Sequence, residues 1–72
     1  MIIFDVINAS PEDATDNDVH YGGRHRRAVR TDGISEIIPW TIAGVLIVRR
    51  NDGDDLLVVG NLSETVDAIN RT

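Results

Sequence analysis

The chain has 72 residues, a net charge of −5 and no cysteine. That length allows one domain with a small core, burying only about 60% of the unfolded surface, and the lack of thiols excludes disulfides and thiolate metal sites as staples. The acidic balance disfavours a general affinity for phosphate backbones, and no apolar run reaches the roughly 20 residues of a membrane span.

Met1 to Ile7 is apolar except for Asp5 and reads as a first strand; without a basic region before it, it does not resemble a signal peptide. Ala9 to Val19 carries Pro11, Glu12, Asp13, Asp16, Asn17 and Asp18, and reads as a solvated acidic loop of low order. With Gly22-Gly23 as a turn, the loop spans 9–23. His20 to Arg30 is basic, and Arg24 to Arg30 fits an exposed strand. Thr31-Asp32-Gly33 is a turn, and Ile34 to Ile38 is a short strand ended by Pro39.

The segment 44–59 has the pattern of a hairpin. Val45 to Arg50 is one strand and Asp55 to Val59 the other, joined by Asn51-Asp52-Gly53-Asp54. Asp52-Gly53 suits a type I′ turn with Gly53 at positive φ. A helix follows over 61–70, with Asn61 as N-cap and Glu64 three residues on. Leu62, Val66 and Ile69 form an apolar stripe expected to face the sheet. The fold expected is α+β in a single domain, 1–72: a small, mainly antiparallel sheet or barrel of four to five strands with one C-terminal helix.

Strand side chains alternate between two faces. Ile2, Phe4 and Val6 oppose Ile3 and Ile7; Val45 and Ile47 oppose Leu46 and Val48; Leu57 and Val59 oppose Leu56 and Val58. Both faces are apolar, and one short helix covers only one. A contiguous exposed apolar patch marks an interaction site. Leu46, Val48, Leu56 and Val58 are therefore the candidate protein interface, and self-association or a protein partner the expected cover; the alternative is that the acidic loop folds back over the face. Trp40, the single tryptophan, is either a core plug or an interface anchor.

The chemistry of the side chains points away from catalysis. Ser10, Ser35 and Ser63 lie in no Gly-x-Ser-x-Gly elbow, and Gly22-Gly23 lacks the Gly-Lys-Ser/Thr of a phosphate loop. His20 and His25 with Asp16 and Asp18 do not match a zinc spacing. Asp13, Asp16 and Asp18 miss the register of a calcium loop, since Tyr21 stands where glycine is needed. No cofactor, metal or catalytic residue is expected. Arg24, Arg26, Arg27 and Arg30 are the one concentration of positive charge and form a candidate anion- or nucleic-acid-binding segment. The competing explanation is neutralisation by the acids between Asp5 and Asp18.

Ile34-Ser35-Glu36-Ile37-Ile38-Pro39, Val45-Leu46-Ile47-Val48, Asp52-Gly53, Leu57-Val58-Val59 and Leu62-Ser63-Glu64-Thr65-Val66 together resemble the small FlbD-like proteins associated with bacterial flagella. Their strand–turn–strand–helix ending is also similar to that of LytTR-type DNA-binding domains. The resemblance covers the second half of the chain, carries no catalytic residues, and implies a small interaction or regulatory protein. The function expected is thus a non-catalytic, cytoplasmic interaction module that forms homo-oligomers or binds a protein partner, with nucleic acid as the alternative ligand of Arg24 to Arg30 and no role for a membrane.

Overall fold

The computed structural model describes residues 1–71. Its elements are β1 (Ile2–Ile7), α1 (Asp16–Tyr21), β2 (Arg24–Val29), a 3-10 turn (Thr31–Gly33), β3 (Ile34–Pro39), β4 (Val45–Arg50), β5 (Leu56–Val59) and α2 (Leu62–Arg71). The strands form one five-stranded antiparallel sheet in the order β2-β1-β5-β4-β3. The fold is the small α+β arrangement expected, with one short helix besides the C-terminal one.

The link between the edge strands forces this sheet to coil. β2 and β3 lie at opposite edges and run in the same direction, so the end of β2 and the start of β3 belong to opposite ends of the sheet. In a flat sheet those edges are about 19 Å apart, with a further offset of about 20 Å along the strands. The chain from Val29 to Ile34 reaches at most about 18 Å. Coiling brings the two ends together. Asn51 pins the link in place: its backbone N–H donates to the Gly33 carbonyl at 2.9 Å and its Nδ2 to the Asp32 carbonyl at 3.2 Å.

Coiling gives each face its own core. Inside lie Phe4, Val6, Val29, Leu46, Val48, Leu56 and Val58, flanked by Ile2, Ile34 and Ile37, so that all five strands contribute. On the outer face Ile7, Val45 and Leu57 pack with Val19 of α1. Ala9, Ala14, Trp40 and Ile42 from the two connecting loops complete that cover, beside Ile47 and Val59.

The acidic segment is therefore more ordered than its composition implies. Thr15 caps α1 with a reciprocal pair: its Oγ1 accepts from the Asp18 N–H at 3.4 Å, and Asp18 Oδ2 accepts from the Thr15 N–H at 2.9 Å. This capping box satisfies two backbone donors that would otherwise be orphaned at the helix start. Gly22 closes the helix, its N–H shared between the Asn17 and Asp18 carbonyls at 3.2 and 3.1 Å. A Cβ at Gly22 would run into the Asp18 carbonyl oxygen, so the position admits no side chain without a shift. Once ordered, α1 directs Val19 onto the sheet while Asp16 stays in water.

The hairpin is present, with a different turn. Gly53 has φ +86° as expected, but among the described residues no non-glycine residue has positive φ, so Asp52 does not form the type I′ turn. Instead the Gly53 N–H donates to the Arg50 carbonyl at 3.0 Å, and Asp52 Oδ1 accepts from the Asp54 N–H at 3.0 Å. The longer loop leaves Asp55 outside the ladder, which ends at Val48 with Leu56. At α2 the N-cap is as expected, Asn61 Oδ1 accepting from the Glu64 N–H at 3.3 Å.

This division between core and cover sets an order of stability losses. Leu57→Ala, at a fully buried site, should cost about 2–5 kcal/mol. Thr15→Ala should cost about 1 kcal/mol. Urea unfolding of both variants checks the ranking, and equal losses contradict it.

Candidate interaction surfaces

Leu46, Val48, Leu56 and Val58 are not a surface. All four are buried within the single chain, on the inside of the coiled sheet. The sequence shows that two apolar faces exist but not that one of them closes on itself. The outer face is covered by the chain as well, through α1 and the loops, so the acidic segment folds back onto the sheet. Trp40 is half-buried against that outer core, next to Ile42.

The apolar surface that remains lies at α2. No residue of this helix is fully buried. Thr65, Ala68 and Ile69 are its half-buried positions, so the helix is turned away from the orientation expected, and Leu62 and Val66 stand 37% and 40% exposed. Between α2 and β3 runs a shallow groove lined by Ile34, Ser35, Glu36, Ile37, Val66 and Ile69.

The arginines are dispersed by strand alternation. Val6 faces the inner core and is paired with His25, and Phe4 with Arg27, so His25 and Arg27 project to the inner side. Arg24 and Arg26, opposite Ile7 and Asp5, project to the outer side. Arg24 donates to the Val19 carbonyl at 2.9 Å, near the end of α1, and lies 3.8 Å from Asp5. Arg27 reaches Asp54 at 3.3 Å and Arg30 reaches Asp32 at 3.1 Å. Their carboxylate partners come from β1 and from the turns, none from 12–18. Arg26 has no carboxylate within 4.0 Å among the described residues.

Asp54 is the meeting point of two of these cations. Arg50 Nη1 approaches the same carboxylate oxygen at 3.2 Å, tying the hairpin turn to β2 through Arg27. The Nε of Arg50 is buried without a hydrogen-bond partner. The two histidines are apart in role: His25 Nδ1 meets Asn8 Oδ1, and His20 lies edge-on to Tyr21 with ring centres 6.3 Å apart. Among the described residues no group of three or more His, Cys, Asp or Glu side chains is gathered as a metal site, and no helix is long and apolar enough to cross a membrane.

Comparison with known protein families, curated proteins and solved structures yields no match for this chain. The FlbD-like resemblance thus rests on the strand–turn–strand–helix pattern of the second half.

Removing the shared acceptor tests the Asp54 junction. Its side chain is 51% exposed, so Asp54→Ala should cost no more than about 1 kcal/mol. Amide exchange should nevertheless quicken across residues 51–55 and leave α1 unchanged. Unaltered exchange at the turn contradicts the tie to β2.

Proposed function

We propose that this protein is a non-catalytic interaction module that self-associates through α2 and the groove beside β3. The observation that carries this reading is the exposure of Leu62 and Val66 on a helix with no fully buried residue, next to Ile34, Ile37 and Ile69. A helix of this length is marginal alone and takes its stability from packing. Covering its outer side completes that packing at a gain of about 25 cal/mol per Å² of apolar surface removed from water.

A second copy fits the chemistry of the helix. In an antiparallel pairing about a two-fold axis between Asp67 and Ala68, Val66 of one copy lies against Ile69 of the other. An isologous contact repeats each favourable pair. The acidic first turn and basic last turn of α2 also suit an antiparallel neighbour. A cytoplasmic setting is part of this proposal.

Light scattering should give a dimer at high micromolar concentration, and Val66→Glu should return it to a monomer while circular dichroism stays native. A wild-type monomer at that concentration overturns the reading.

A further inference from the structure

The two edges of the sheet are finished differently. β3 carries a bulge between Ile34 and Glu36, ends on Pro39, and has α2 resting beside it. Bulges, proline and a covering helix are the usual means of blunting an edge strand. β2 has none of these. Its six residues pair with β1 in unbroken register, from Ile2 with Val29 to Ile7 with Arg24, and its other side pairs with no strand among the described residues.

The free side of β2 has a definite pattern of backbone groups. The Asn8 N–H donates to the Gly23 carbonyl at 2.9 Å. Hydrogen-bonded pairs alternate along an antiparallel ladder, so His25, Arg27 and Val29 turn their backbone groups toward β1. Arg24, Arg26 and Ala28 turn theirs outward. The side chains of the same three residues share the outer side of the sheet, and all three are exposed.

Charge decides what pairs with this edge. A second copy of β2 in antiparallel register about Arg26 sets Arg26 against Arg26 and His25 against Arg27. Like charges directly opposite are destabilising in a sheet. The arginines thus bar self-pairing without a bulge or proline. A strand bearing carboxylates at alternate positions meets the opposite situation. Its backbone fits the outward groups of Arg24, Arg26 and Ala28, and its acids face Arg24 and Arg26. Asp5 already flanks Arg26 from the β1 side, and Arg26 has no carboxylate within 4.0 Å among the described residues.

We infer that the free edge of β2 binds an extended acidic peptide by strand addition, with carboxylates at alternate positions opposite Arg24 and Arg26. Backbone hydrogen bonds supply the affinity and the two arginines the selection, the general division in β-augmentation. The edge shares no residue with the α2 groove.

The test uses the full chain and a labelled peptide alternating threonine and glutamate over the length of β2, followed by fluorescence anisotropy. Saturable binding is expected, weakened about fivefold by Arg26→Ala, on the order of one cross-strand charge pair. Ala28→Pro removes an outward N–H while keeping every arginine, and should abolish binding. Because that variant alters the strand, the same peptide N-methylated at alternate residues provides a second measure on the wild type, and should not bind. Val66→Glu should leave binding unchanged. The inference is overturned by no binding of the alternating peptide, or by equal binding of a peptide with its glutamates in one block. Equal binding of the N-methylated peptide shows mere ionic attraction and overturns it too, as does preferential, salt-sensitive binding of a single-stranded oligonucleotide.

Discussion

Leu57 and Val58 are neighbours on the central strand β5, point to opposite faces, and have no surface left in water. Everything else in the molecule follows from having to cover both. A sheet in a 72-residue chain cannot call on a layer of helices for each side. The chain solves the inner side by coiling the sheet, which the short link from Val29 to Ile34 enforces. It solves the outer side with residues spent between strands: Ala9, Ala14 and Val19 from the β1–β2 connection, Trp40 and Ile42 from the β3–β4 connection.

That solution explains why the acidic segment is shaped as it is. An ordered excursion between two adjacent antiparallel strands costs conformational entropy in each fixed residue. The Thr15–Asp18 box and the Gly22 close approach reduce the alternatives open to the backbone, and Val19 gives the ordered state an apolar anchor. Glu12, Asp13 and Asp16 are turned to solvent, while Asp18 is held in the capping box. Arg24 spans the boundary, holding the Val19 carbonyl while lying near Asp5, so that the start of β2 and the last turn of α1 are fixed together.

Much of this was legible from residue order. Apolar runs marked β1, β4 and β5, the turns at Gly22-Gly23 and Thr31-Asp32-Gly33 with Pro39 bounded β2 and β3, Asp52-Gly53 marked the hairpin, and Asn61 with Glu64 marked the start of α2, because each is a local signal with a local cause. The coil was not legible, since alternation separates two faces without saying which one closes. Leu46, Val48, Leu56 and Val58 consequently read as surface when they are core. α1 was missed because Thr15-x-x-Asp18 is a capping box written in the same residues that make a disordered acidic loop. The split of the arginines was written in their spacing: 24 and 26 share a face, 27 does not.

The placement of positive charge completes the picture. Of the seven arginines, Arg49 and Arg50 are held by the acids of the hairpin loop, Asp52, Asp54 and Asp55. Arg71 ends α2. The remaining four lie on β2 and the residue after it, on the one edge left without bulge, proline or cover. An edge can be kept from pairing by geometry or by charge. Geometry excludes every strand alike, whereas charge excludes only those of like sign. β3 uses the first means and β2 the second, so a protein of net charge −5 keeps a single strand edge that repels its own copy and discriminates among other strands by their charge.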